Sequence, residues 1–179
     1  MARSSAVRSR VVRPLTRRRE DVDPHRAESR VAAYVYGNVL VLAAVVGTSP
    51  AAVDSGTAVL LVVGTVLSTF VAHVLAHSIG ALSTGGDRRR VGQALRDATP
   101  VLSSGVLPAA LLLGTALGWP SELVGQALAS AVGLVRIGGV GIVYRRLQAD
   151  VPLGRAVLVG VAAAALALLA VVLKLALTH

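Results

Sequence analysis

The chain changes character near residue 30. Before it, arginines, acids and small residues mix without an apolar run. After it come five apolar segments, at 31–47, 57–82, 101–117, 123–144 and 153–177, separated by short polar connections. A helix rises about 1.5 Å per residue and the hydrocarbon core of a bilayer is about 30 Å thick, so roughly 20 apolar residues make one crossing. The pattern therefore predicts an all-α, polytopic transmembrane helix bundle of five spans. Transmembrane barrels alternate apolar and polar positions, whereas 156–173 is apolar almost throughout, which excludes them. Turn chemistry marks the same connections, with Ser49-Pro50, Trp119-Pro120, Val151-Pro152 and Gly85-Gly86. Trp119, Tyr144, Tyr34 and Tyr36 fall at or near span ends, where aromatic belts form.

Charge adds an orientation. All but two of the 18 Lys and Arg residues fall in three blocks: Arg3 to Arg30, Arg88 to Arg96, and Arg145 to Arg155. The connections near Thr48 to Ser55 and Gly118 to Ser121 carry no basic residue. Cytoplasmic loops hold the excess of Lys and Arg, so the amino terminus is expected inside and the carboxyl terminus outside. Residues 1–30 read as a basic, disordered cytoplasmic tail, and 31–179 as the transmembrane domain. No hydrophobic core follows the basic start closely enough for a cleaved signal peptide, and acids and His25 separate Arg17-Arg18-Arg19 from the first span.

Composition agrees with a lipid-facing surface, at 54% hydrophobic and 15% charged residues. The net charge of +9 suits the bilayer, and anionic lipid headgroups attracted by the Arg blocks, better than nucleic acid, since no recognition motif accompanies it. There is no cysteine, hence no disulfide or thiolate chemistry. Heavy use of Ala, Val, Leu, Gly and Arg fits a high-GC bacterium, so the expected location is the bacterial cytoplasmic membrane, multi-pass.

Span two carries two ladders at every fourth residue. Gly64, Ser68, Ala72, Ala76 and Gly80 make a small-residue ridge of the kind that lets helices pack closely. Thr65, Thr69, His73 and His77 run beside it. Together they predict one broad interior-facing surface and a central position for this helix.

Ionisable residues inside a span are costly and default to functional roles. Here they are His73, His77, Arg136 and Lys174, with every Asp and Glu assigned to ends or loops. Counted from the span boundaries, His73 lies about 13 Å deep, Arg136 about 12 Å, and Asn38 and Ser104 on the order of 10 Å, a single polar layer from four helices. Pro108 frees the carbonyl of Ser104 just after a Ser103-Ser104-Gly105 break. This layer, together with His77 nearer the cytoplasmic boundary, is expected to form a site or pathway in the inner half of the bundle, built from His73, His77, Arg136, Asn38 and Ser104, for an anion, a proton or an anionic lipid headgroup. A purely structural account stands beside it: Arg136 snorkels to the headgroups, His73 bonds a neighbouring carbonyl, and Lys174 anchors the outer interface.

The spacing of His73 and His77 matches that of a zinc-protease helix but lacks its glutamate, so no metal, no cofactor and no catalytic residue is assigned. Without a carboxylate cluster, G-x-S-x-G or Walker loop, enzymatic activity is not expected. The stretches Tyr36-Gly37-Asn38-Val39-Leu40-Val41-Leu42-Ala43-Ala44, Ala72-His73-Val74-Leu75-Ala76-His77 and Leu173-Lys174-Leu175-Ala176-Leu177-Thr178-His179 resemble segments of small integral membrane proteins of high-GC bacteria. That resemblance implies a five-span bundle and no established activity. The vacuolar iron transporter family is similar in span number, but its acidic metal-binding residues have no counterparts here. Two functions follow from the sequence: a small transporter or channel-like bundle, or an accessory, scaffolding subunit acting through helix contacts as a homo-oligomer or with a larger membrane partner.

Overall fold

A computed structural model describes residues 24–83, 89–147 and 152–178, all of it helices and short turns. The helices are α1 (Pro24–Val46), α2 (Pro50–Asp54), α3 (Thr57–Ser83), α4 (Arg89–Ala116), α5 (Glu122–Gly138), α6 (Val140–Leu147) and α7 (Leu153–Thr178). Five stretches are long and apolar enough to cross a membrane: Glu28–Val46, Thr57–Gly80, Gly92–Ala116, Glu122–Val143 and Leu153–Leu173. Large apolar side chains such as Leu61, Leu75, Val106, Leu128, Leu158 and Leu169 are exposed along them, as a lipid-facing surface requires.

Two boundaries differ from the sequence reading. The helix of α1 already runs from Pro24, inside the segment expected to be a disordered tail; residues 1–23 lie outside the described part of the chain. The third crossing starts at Gly92 instead of residue 101, because α4 passes straight through Pro100. A proline inside a helix removes one backbone bond but does not oblige the helix to end. One consequence is that Asp97, assigned to a loop from the sequence, lies within a crossing and is buried.

The turns obey local rules. Ser49 caps α2 by accepting from the Ala52 N–H, with Pro50 at the first helical position. At the end of α4, Gly118 adopts φ +99°, its N–H reaches the Thr115 carbonyl and the Trp119 N–H reaches Gly114, a Schellman closure that calls for glycine. The open carbonyls at the end of α1 are met from another helix: Gln126 Nε2 donates to Val45 O at 2.9 Å and Thr48 O at 3.0 Å.

α1, α4 and α5 form the middle of the bundle, with α3 flanking α1 and α4 on one side and α7 flanking α5 and α6 on the other. The core splits accordingly. Val41, Val45, Val53, Val62, Val66, Leu112 and Ala129 pack together on the α3 side, and Leu42, Ala43, Ile137, Ala167 and Val171 on the α7 side. Span two is therefore a flank and not the centre, a correction to the sequence reading. Its ladders separate: Thr69 is buried and Thr65 and His73 are half-buried against the bundle, whereas Gly64, Ser68, Ala72, Ala76 and Gly80 are exposed. A Cβ on Gly64 would meet nothing within 4 Å among the described residues, so at this position the ridge faces outward.

Small residues do mediate close approach, but on other helices. Residues along a helix turn by about 100°, so Ser103, Ser104 and Gly105 address three directions. Ser103 bonds to Arg136 on α5, Ser104 lies against Gly37 on α1, and Gly105 lies against Val62 and Val66 on α3. A Cβ on Gly37 would sit 3.1 Å from Ser104 Oγ and from the Val101 Cα. On the far flank Gly138 and Gly141 face Gly160 and the Ala156 carbonyl, so α7 docks backbone to backbone at the α5–α6 junction.

Candidate functional site

The exposed arginines Arg30, Arg96, Arg145 and Arg155 share one end of the bundle, here called the basic end; Asp54 and Glu122 lie at the opposite end, beside a cleft reaching Thr115. Two polar clusters sit between them, where the sequence predicts one layer.

The first joins α1, α4 and α5. Arg136, near the end of α5, is half-buried, and its Nε donates to Asn38 Oδ1 at 2.9 Å while one terminal nitrogen donates to Ser103 Oγ at 3.0 Å. The guanidinium carbon stands 5.2 Å from the centre of the Tyr34 ring, within cation–π range. Tyr34 in turn donates its hydroxyl to the Arg136 carbonyl at 2.9 Å, and Asn38 donates Nδ2 to the Tyr34 carbonyl at 2.7 Å. Asn38 is fully buried with both ends of its amide engaged. These bonds fix the direction of the guanidinium, and Asn38, Ser103 and Tyr34 are all neutral. Of its five N–H donors, two are engaged in these contacts.

Ser104 is fully buried, but its hydroxyl donates to the Val101 carbonyl at 2.6 Å and serves the α1–α4 crossing. The seryl partner of Arg136 is its neighbour Ser103.

The second cluster joins α3 to α1 and α4. His77 Nε2 is 3.1 Å from Ser29 Oγ and its Nδ1 is 3.1 Å from the His73 carbonyl. The two imidazoles are stacked at a tilt, with centroids 4.3 Å apart. The charge of Asp97 acts on His73 from α4. His73 Nε2 is buried and has no hydrogen-bond partner among the described residues. Ser29 and Asn38 are about 13 Å apart along α1, so His77 lies well toward the basic end from Arg136. His77 with Ser29 thus lies nearer the basic end, Asn38 and Arg136 with Ser103 and Tyr34 lie deeper in, and His73 stands one helical turn from His77 between those levels.

Among the described residues no three His, Cys, Asp or Glu side chains form a metal-binding group, so Asp97 does not complete one with the histidine pair. Thr65, Ser68 and Ser78 bond to carbonyls of their own helix, the bland option for hydroxyls in apolar helices. The Lys174 and Tyr144 side chains, and Arg88 in the middle basic block, lie outside the described part of the chain.

Tyr34 and Asp97 are the residues the sequence reading missed. Tyr34 precedes Asn38 by one helical turn and shares its face, but reading aromatics as interface markers hid this. Asp97 lies two turns before Ser104, a relation concealed by starting the third span at residue 101.

Between α1, α4 and α6, at the basic end, Arg30, Val31, Tyr34, Pro100, Val140 and Val143 line a cleft of about 200 Å³. Tyr34 is common to this cleft and to the Arg136 cluster. Comparison with family models, with curated proteins and with solved structures finds no match to this chain.

Proposed function

We propose that the protein is a small transporter- or channel-like bundle of the bacterial cytoplasmic membrane, with its amino terminus inside, in which Arg136 receives an anion. The observation that carries this reading is a guanidinium within a crossing, oriented by Asn38, Ser103 and Tyr34 and lacking a carboxylate partner among the described residues. A cation at membrane depth is costly, about 2.5–3.5 kcal/mol at a helix centre on insertion scales. An incoming anion offsets that cost where the protein supplies no negative group. The histidine pair, bridged by Ser29 toward the basic end, suits proton exchange coupled to the same movement.

Proteoliposome flux with chloride, phosphate and acetate as probes tests this. Arg136→Gln is expected to reduce flux to the protein-free background, and Arg136→Lys to retain only part of it, because lysine keeps the charge but not the fork. Wild-type flux in Arg136→Gln would overturn the proposal.

A scaffolding role is the second reading, favoured by the outward ridge of α3. It predicts self-association or co-purification lost on Ala72→Leu, with the Arg136 variants unaffected.

A further inference from the structure

We infer that the cleft between α1, α4 and α6 is a binding site for one anionic phospholipid, drawn from the leaflet at the basic end. Its wall is apolar, with Val31, Val140, Val143, the Pro100 ring and the Tyr34 face. Such a wall fits the first carbons of an acyl chain. Among the described residues the one charged group lining it is Arg30, exposed at the rim one helical turn from Tyr34. A second cation, Arg136, lies behind the Tyr34 ring. A lipid phosphate resting on Arg30 thus meets positive charge at the rim and more beneath it, while its chain covers side chains that otherwise leave a gap in the bundle.

The arrangement specifies both halves of an amphiphile. A free inorganic anion would satisfy Arg30 but leave the apolar wall uncovered, and a zwitterionic lipid would cover the wall but bring its own cation to Arg30. Glu28 is exposed two residues before Arg30, about 200° round the helix, and neither it nor Asp97 is among the residues that line the cleft. This inference deepens the anion preference argued above and shares Tyr34 and Arg136 with it, but its test rests on Arg30 and Val143, which the flux proposal does not use.

The test is native mass spectrometry of the full chain released from nanodiscs containing equal phosphatidylglycerol and phosphatidylcholine. The wild type is expected to retain one phosphatidylglycerol in preference to phosphatidylcholine by about fivefold, the effect of a single arginine near an anionic headgroup. Arg30→Gln is expected to abolish the preference and Arg30→Lys to keep most of it. Val143→Trp, which fills the cleft, is expected to remove the retained lipid of either kind. Unchanged retention in both Arg30→Gln and Val143→Trp would overturn the inference, as would displacement of the lipid by millimolar inorganic phosphate. Should lipid retention prove insensitive while Arg136→Gln still abolishes flux, the cleft assignment fails alone. Should Arg136→Gln leave flux intact while Arg30→Gln abolishes lipid preference, only the transport reading fails.

Discussion

At the scale of single residues, the deep cluster depends on neutral groups holding a charge in place. Asn38 is the hinge of that arrangement, since its amide accepts from Arg136 and donates to Tyr34 at once. Asn38→Leu is nearly isosteric but leaves the guanidinium without one acceptor. Hydrogen bonds to charged groups contribute about 1.5–3 kcal/mol in water-soluble proteins, and interhelical bonds in membranes average about 0.6 kcal/mol, so a loss near 1 kcal/mol is expected. Ser104→Ala removes only a hydroxyl bonded to its own helix, and a change within about 0.5 kcal/mol is expected. Unfolding of both variants in mixed micelles checks the pair; equal losses would mean that Ser104 has a role in the site beyond its crossing with Gly37. The sequence made Arg136 and Asn38 legible because a charge and a carboxamide at similar depth in apolar helices are rare. It did not separate Ser103 from Ser104, since adjacent residues differ by about 100° in direction and only the placement of α5 decides which one reaches Arg136. Depth counted from a helix end also carries the error of that end, and a third span started at residue 101 leaves Asp97 outside it.

At the scale of elements, the ladders of α3 show what periodicity carries and what it does not. A repeat every fourth residue identifies positions on one face, and both ladders are continuous faces of one helix. Which face turns inward is a different question. In water the apolar face must be buried, but in lipid the tails are as apolar as leucine, so hydropathy gives no preference and packing alone decides. Here packing favours the Thr69 and His73 side and leaves the glycine ridge outside. Tight glycine contacts lie instead on other helices, α7 among them, where a Cβ on Gly160 would collide with the Gly138 carbonyl. Gly160→Leu is therefore expected to detach α7 from the α5–α6 junction and to lower thermal stability in detergent by several degrees, roughly the effect of 1–3 kcal/mol of overpacking. Gly64→Leu, placed in open space, is expected to leave the melting temperature of the monomer unchanged. Destabilisation by Gly64→Leu under conditions where the protein is monomeric would contradict the outward placement of the ridge.

At the scale of the whole molecule, the distribution of charge and the helix order lead to one further expectation. Among the described residues the exposed arginines outside the clusters gather at one end, and Asp54 and Glu122 stand at the other. Antiparallel crossings bring this about without long connections: Ser29 on α1 meets His77 near the end of α3, and Gln126 near the start of α5 meets the end of α1. Loops rich in Lys and Arg resist translocation, so a bundle whose described exposed arginines share one end is expected to insert with that end inside. The cytoplasmic leaflet is also the anionic one, so the proposed orientation would bring the Arg30 cleft to the lipid it is proposed to bind. The chain has no native cysteine, so single cysteines report on sidedness without background. Ser121→Cys, in the turn before α5, is expected to react with a membrane-impermeant maleimide in intact spheroplasts. Ser83→Cys, at the end of α3, is expected to react only after permeabilisation. The reverse pattern would invert the orientation and place the Arg30 cleft in the outer leaflet, and equal labelling of both would mean dual insertion, in which a directional anion pathway loses its meaning.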